Sequence, residues 1–155
     1  VVATHAYAAV GEILENAKSR GEAPLIVLCD DLSDPHNLGA IIRTAECAGA
    51  HGVIIPKRRS VGLTAVVGKA SAGALEYLPV ARVSNLVSTI RDLQKAGVWV
   101  FGTAADGDTG LYAADLKGPA ASSQKRATSK SVFPCTAASH PSTPPTPLPS
   151  SSTRQ

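Results

Sequence analysis

The stretch DPHNLGAIIRTAECAGAHGVIIP, residues 34–56, opens a helix with polar side chains and places a single arginine among its aliphatic residues. Asn37 stands at the helix start and Arg43 follows six residues later. Free backbone N–H groups at a helix start attract phosphate, and a guanidinium binds phosphate through two parallel hydrogen bonds. Asn37 and Arg43 are therefore candidate functional residues. On the pattern alone, Asn37 as a helix cap and Arg43 as a solvated surface residue are the alternatives.

A second polar cluster, Lys57-Arg58-Arg59, follows the apolar segment HGVIIP. Three adjacent cations indicate contact with a polyanion, and a solvated basic loop is the alternative. Residues 1–117 carry eleven basic and twelve acidic side chains, whereas the residues after Lys117 carry four basic side chains and no acidic one. Residues 1–117 are close to neutral and therefore give no general electrostatic reason to bind nucleic acid. Only the Lys57-Arg58-Arg59 cluster indicates such binding.

The elements that must position these residues alternate between strand and helix. The patterns predict an amphipathic lead-in helix in residues 5–19, a helix from Asn37 to about Ala48, and a helix capped by Ser84 or Asn85 that runs through Lys95. Mostly apolar segments predict four strands, at APLIVLCDDL, HGVIIP, LPVARV and GVWVFGT, of which the first is a continuous apolar run. This alternation predicts an α/β fold with a parallel sheet. Ligands of such sheets bind at the carboxyl ends of the strands, where residues 34–37, 57–59 and 103–108 fall.

The composition changes after Gly118. Residues 118–155 contain nine Ser, five Thr and seven Pro and have no apolar periodicity, which is typical of a disordered tail. The sequence therefore predicts a lead-in helix and linker in residues 1–23, a core in residues 24–117 and a disordered Ser/Thr/Pro-rich tail in residues 118–155.

Composition also bounds the class of protein. No apolar run reaches the length of a membrane span, and the first residues lack the pattern of a signal peptide. The three cysteines are widely spaced without a metal-type pairing and are typical of reduced thiols inside a cell. We therefore expect no membrane association, no metal, and a cytoplasmic location, with an organelle as the alternative. Because the chain contains no methionine, Val1 is not expected to be a translation start.

Three segments together resemble a known family: DDLSDPHNLGAIIRTAECAGAHGVIIPKRRS, KASAGALEYLPVARVSNL and GVWVFGTAADG. Residues 24–117 resemble the SpoU-type RNA ribose 2′-O-methyltransferases of the knotted SPOUT superfamily, which includes the TrmH-like enzymes. The similarity is greatest to the bacterial group that methylates a guanosine of 23S ribosomal RNA. The resemblance implies a parallel-sheet α/β-knot methyltransferase core, here incomplete at its C-terminus.

The resemblance also implies roles for individual residues. Arg43 would favour the alkoxide form of the ribose hydroxyl, and Asn37 would orient the ribose or support Arg43. The backbone of Gly102, Thr103 and Ala104 would hold S-adenosylmethionine, and Lys57–Arg59 would contact RNA. The family acts as a homodimer on RNA, here expected to be ribosomal, although the sequence does not separate ribosomal from transfer RNA or identify the target nucleotide.

Two family motifs are missing after Gly118, a Gly-Ser/Asn-Glu-Gly-x-Gly loop and a Ser-Leu-Asn helix. Translation of the tail from Phe133 in a shifted frame permits the Ser-Leu-Asn motif, which indicates a frame-shifted remnant. The chain as written is therefore expected to be inactive. One alternative is a non-catalytic RNA-binding fragment of such an enzyme. Another, an unrelated flavodoxin-like nucleotide-binding domain, is disfavoured by the spacing from Asp34 to Arg43.

Overall fold

A computed structural model describes residues 5–103, 120–124 and 132–133 of the chain. Four α-helices lie in these ranges: α1, Val10–Ser19; α2, Pro35–Cys47; α3, Ala65–Ala70; and α4, Leu86–Lys95. The strands are β1, Leu25–Cys29; β2, Gly52–Pro56; β3, Val80–Val83; β4, Trp99–Thr103; β5, Ala120–Gln124; and β6, Val132–Phe133. A short 3-10 turn, Ala74–Glu76, precedes β3. None of the described helices has the length and apolar content that a membrane span requires.

The strands form one sheet in the order β3-β2-β1-β5-β4-β6, with every pair parallel. The predicted α/β fold with a parallel sheet is therefore confirmed. Its register aligns Cys29 with Gln124 and Gln124 with Thr103, so that the carboxyl ends of β1, β5 and β4 lie level at one edge.

The prediction of a disordered segment throughout residues 118–155 is wrong at β5 and β6. The backbone of β5 pairs with β1 on one side and with β4 on the other, and Ala121 is fully buried. Backbone hydrogen bonds to a neighbouring strand on each side stabilise β5, so the strand can consist of small and polar residues. Its sequence therefore lacks the apolar pattern from which the other strands were predicted. The rest of the predicted tail lies outside the described residues.

Each face of the sheet carries its own apolar core. On one face, α2 and α3 cover β1 and β2 through Leu38, Ile42 and Val67. On the other face, α1 and α4 cover the same strands through Ile13 and Leu93. Burial on both faces explains why β1 and β2 are continuously apolar instead of alternating.

The lead-in helix is shorter than predicted, because α1 begins at Val10 and residues 5–9 are not helical. The Ala8 N–H donates to the Val80 carbonyl at 2.9 Å, and Ala8 forms a parallel bridge with Ala81. β3 is an edge strand of the sheet, and such a strand has unpaired backbone groups on its outer side. Ala8 satisfies one of these groups by pairing with β3, instead of extending the helix by another turn.

His51 is a structural residue. It is 2% exposed, and its Nδ1 accepts the Leu25 N–H at 3.1 Å. Because Nδ1 accepts this hydrogen bond, the ring hydrogen lies on Nε2, which donates to the Glu22 carboxylate at 3.0 Å. The imidazole thereby ties the start of β1 to the start of β2, at the edge opposite the carboxyl ends.

Gly39 allows α2 and α3 to pack closely. A Cβ at this position would overlap the Cβ of Ala70 and lie 3.0 Å from the Ser71 nitrogen. We expect Gly39→Ala to lower the free energy of unfolding by about 1–3 kcal/mol, because the two helices would have to separate. Urea denaturation measures this change.

The matched control is Gly11→Ala in α1, where an added Cβ would meet no atom within 4 Å. This control should be neutral or raise the free energy of unfolding by about 0.4–1 kcal/mol, since alanine restricts the unfolded chain. Equal effects of the two substitutions would show that α2 and α3 do not require a glycine at their contact.

Candidate functional site

The start of α2 is built by residues of the DPHN motif. Asp34 is the N-cap and its carboxylate accepts the His36 N–H at 2.9 Å, while Pro35 occupies the first helical turn, where a missing N–H costs nothing. The helix therefore begins two residues before the predicted start, and Asn37 is not its cap. The structure assigns Asp34 and Pro35 to folding and leaves the Asn37 side chain available for another role.

Asn37 and Arg43 are both exposed, and the structure shows no hydrogen bond or ion pair from either side chain to the residues it describes. Arg43 lies between Ile42, which is fully buried, and Thr44, whose hydroxyl donates to the Ala40 carbonyl. Six residues along a helix correspond to a rise of about 9 Å and roughly one and two-thirds turns. The two side chains therefore leave the helix at separate points, and direct support of Arg43 by Asn37 is not part of this arrangement.

The loop after β2, residues 57–64, is here called the basic loop because it begins with Lys57-Arg58-Arg59. All three cations are exposed, and no described residue forms an ion pair with them. The Lys57 N–H donates to the Val83 carbonyl at 2.8 Å, and the Val61 N–H donates to the Leu32 carbonyl at 2.8 Å. The backbone of the loop is thus held while its charges face solvent.

The predicted cofactor-binding residues are described only in part. Gly102 is buried at the carboxyl end of β4. For Thr103, the structure describes the backbone, which is level with Gln124 of the neighbouring strand. Ala104 lies outside the described residues.

Strand order determines how far apart these groups lie. Neighbouring strands are separated by about 4.8 Å. Since β5 lies between β1 and β4, the carboxyl ends of β1 and β4 are about 10 Å apart, and those of β2 and β4 about 14 Å. The basic loop and the Gly102 end therefore share one edge without direct contact, as the two ends of an extended site.

Two concave regions border this edge. A groove of about 560 Å³ lies beside the start of α2, lined by His36, Ala65, Val66, Lys69 and Ala70. On the other face, a depression of about 230 Å³ is lined by Asp30, Pro56, Ser84, Asn85, Leu86, Val87 and Ile90. Neither is lined by Asn37, Arg43 or Gly102. Sequence reasoning did not identify Lys69 or Asp30, because a lone charge after a strand or in a helix has no distinctive spacing.

Cys29 ends β1 at this edge, yet it is not a nucleophile. The side chain is 3% exposed, and burial raises the pKa of its thiol to about 12. The reactive thiolate form is therefore scarce at neutral pH. Among the described residues, no group of His, Cys, Asp and Glu side chains could hold a metal ion.

Comparison with known proteins identifies relatives of this chain. It is 50% identical over 108 residues to the 23S rRNA (guanosine-2′-O-)-methyltransferase RlmB of Shewanella oneidensis, which covers 70% of this chain and 44% of that protein. It is 48% identical over 118 residues to an uncharacterized tRNA/rRNA methyltransferase of Synechocystis, which covers 76% of this chain and 31% of that protein. The chain thus spans less than half the length of these relatives.

Solved structures agree with the sequence matches. An AdoMet-bound rRNA methyltransferase from Sinorhizobium meliloti superposes with a TM-score of 0.62 at 29% identity, covering 71% of this chain and 46% of that one. The SpoU methyltransferase AviRb from Streptomyces viridochromogenes superposes with a TM-score of 0.58 at 28% identity, covering 67% and 43%.

The family model described as the SpoU rRNA Methylase family matches residues 24–124. This match extends beyond the boundary predicted at residue 117 and includes all of β5. Since it covers well over half of the chain, the chain belongs to the SpoU rRNA methylase family.

Proposed function

We propose that this chain is the core of an enzyme that transfers a methyl group from S-adenosylmethionine to a ribose 2′-hydroxyl of RNA, specifically ribosomal RNA. The observation that carries the proposal is that residues of the DPHN motif and its helix fall into two groups, those that the fold uses and those that it leaves exposed. Asp34, Pro35 and Gly39 are used by the fold, whereas Asn37 and Arg43 are exposed and bind no described residue. The relative at 50% identity carries the corresponding activity in its name.

The carboxyl end of β4 is suited to form one wall of a cofactor site. Gly102 is buried and pairs with β5 and β6, but it lies at the carboxyl end of the sheet, where ligands of parallel sheets bind, and it has no side chain to fill that end. We assign Gly102, Thr103 and Ala104 to this wall. When bound, S-adenosylmethionine supplies an electrophilic methyl group on its sulfonium.

The chain's own residues would act on the RNA. The Arg43 guanidinium, placed beside the 2′-hydroxyl, favours its alkoxide form and can also bind the adjacent phosphate. The Asn37 amide, about 9 Å away along the helix, would hold a neighbouring part of the nucleotide. The basic loop would bind phosphates farther along the strand, because its cations are unpaired by described residues and face solvent.

Non-catalytic RNA binding is the second candidate function. It is favoured by the basic loop, which is complete within the described residues, whereas the family's cofactor motifs are missing from the sequence after Gly118. A homodimer, a cytoplasmic location and the choice of ribosomal RNA remain predictions for this chain.

Cofactor binding separates the two candidates. We expect the 155-residue chain to show no saturable binding of S-adenosylmethionine at micromolar concentrations in isothermal titration, because a pocket with one wall leaves the ligand solvated. A chimera is made by replacing the residues after Gly118 with the corresponding segment of the Shewanella oneidensis relative. This chimera should bind S-adenosylmethionine and methylate 23S ribosomal RNA. Micromolar binding by the 155-residue chain would show that its own tail completes the site. A chimera that binds cofactor but leaves RNA unmethylated would overturn the proposed activity.

Arg43 is tested in the same chimera. We expect Arg43→Ala to lower the rate of methyl transfer by about 100- to 1000-fold, the usual effect of removing a group that stabilises developing charge. The free energy of unfolding should change by less than about 0.5 kcal/mol, because the side chain is exposed. Single-turnover transfer of a labelled methyl group measures the rate.

Arg91→Ala is the matched control, since Arg91 is an exposed arginine of α4 on the opposite face of the sheet. It should leave methyl transfer unchanged. An Arg43→Ala enzyme that turns over at near-normal rate would remove Arg43 from the catalytic machinery.

The basic loop is tested by its salt dependence. Replacing Lys57, Arg58 and Arg59 with alanine should weaken RNA binding and reduce the slope of log affinity against log salt by about 2, since up to three phosphate contacts are lost at about 0.7 each. Fluorescence anisotropy with a labelled oligoribonucleotide measures both.

The control replaces Lys18, Arg20 and Lys95, three exposed cations near the opposite edge of the sheet, with alanine. These substitutions remove the same charge, so a general electrostatic attraction would be reduced equally by both triple variants. An equal effect would contradict the assignment of RNA binding to the basic loop.

A further inference from the structure

The non-helical segment in front of α1, residues 5–9, packs against the basic loop. The Tyr7 hydroxyl accepts the Leu63 N–H at 2.9 Å, which satisfies a backbone donor near the end of the loop. A Cβ built on Gly62 would lie 2.9 Å from this hydroxyl, so the loop approaches Tyr7 closely. The contact joins residues that are far apart in sequence.

Arg82 of β3 completes a second contact with the loop. Its guanidinium lies over the Tyr7 ring, 5.4 Å from the ring centroid, at a distance typical of a cation–π interaction. One guanidinium nitrogen donates to the Lys57 carbonyl at 3.1 Å. Tyr7 and Arg82 together therefore touch the basic loop near both of its ends, at Lys57 and at Leu63.

The position of Tyr7 is itself fixed by its neighbours. The Ala8 N–H donates to the Val80 carbonyl at 2.9 Å, which attaches the segment to the edge of β3. His5 Nδ1 lies 3.7 Å from the Glu76 carboxylate. Tyr7 thus stands between two attachment points that do not involve the loop.

The basic loop has a conformation that requires such support. Arg59 has a φ of 60°, in the left-handed region that non-glycine residues rarely adopt. Three adjacent cations also repel one another, and no described carboxylate pairs with them. A loop with this backbone and this charge persists only when surrounding contacts determine its shape.

We propose that Tyr7 and Arg82 are positioning residues that hold the basic loop in the shape that binds the phosphate backbone of RNA. The inference rests on the proposed RNA-binding role of the loop. It adds the segment before α1 to the RNA-binding machinery, although that segment lies outside the residues matched by the family model. Neither residue needs to touch RNA for this role.

The sharpest variant is Tyr7→Phe, which removes the acceptor for the Leu63 N–H and keeps the ring under Arg82. We expect hydrogen exchange of the Leu63 amide in the 155-residue chain to become faster by at least about threefold, as loss of one hydrogen bond implies. The affinity for a labelled oligoribonucleotide of mixed sequence should fall by about three- to tenfold. Tyr77→Phe, at a tyrosine that is 76% exposed, is the matched control and should change neither quantity.

A combined variant separates positioning from a general loss of stability. When Lys57, Arg58 and Arg59 are already alanine, Tyr7→Phe should still accelerate exchange at Leu63 but should not weaken RNA binding further, because no cations remain to be positioned. If Tyr7→Phe accelerates exchange while RNA affinity in the otherwise unchanged chain stays the same, the positioning role is overturned. If the triple substitution alone leaves RNA affinity unchanged, the proposed RNA-binding role fails, and the inference fails with it.

Arg82 is tested by two substitutions that differ in charge. Arg82→Lys keeps the charge but loses the planar guanidinium, so it should accelerate exchange in the loop and weaken RNA binding to a similar extent as Arg82→Gln. If Arg82→Lys binds RNA normally and Arg82→Gln does not, Arg82 contacts phosphate directly and is not a positioning residue.

Discussion

The sheet holds together as one body through β5, a strand of small and polar residues between β1 and β4. On one side of β5 lie β1, which precedes α2, and β2, which precedes the basic loop. On the other side lies β4, whose carboxyl end contains Gly102 and Thr103. Every distance between these groups therefore depends on the pairing of β5. A slip of one residue would shift the strand ends by about 3.3 Å and turn Ala121 out of the core.

Four of the strands could be predicted from mostly apolar segments. In β1 and β2 the segment is continuously apolar because both faces are buried, whereas β3 and β4 include the exposed residues Arg82 and Trp99. The parallel arrangement followed from the helices between them. The strand β5 could not be predicted in this way, since the segment AASSQ depends on backbone pairing with both neighbours. The start of α1 was also misplaced, because the periodicity of residues 5–19 does not reveal that Ala8 pairs with the edge of β3.

The candidate site shows a related limit of sequence reasoning. Polar residues at a helix start can cap the helix or act on a ligand, and their spacing is the same in both cases. The structure distinguishes them by their partners: Asp34 accepts a backbone N–H, whereas Asn37 is exposed and has no partner among the described residues. The role of Tyr7 could not be predicted either, because its contact with Leu63 joins positions whose proximity exists only in the folded sheet.

The place of β5 also bears on how the chain folds during synthesis. Its partner β1 leaves the ribosome early, whereas β5 follows after all of the first four strands. Such non-local pairing forms slowly, and until it forms, β1 has an open edge in the centre of the future sheet. An open edge of this kind pairs readily with another chain. The most vulnerable form of the protein is therefore the nascent intermediate, in which the apolar strand LIVLC lacks its late-arriving neighbour.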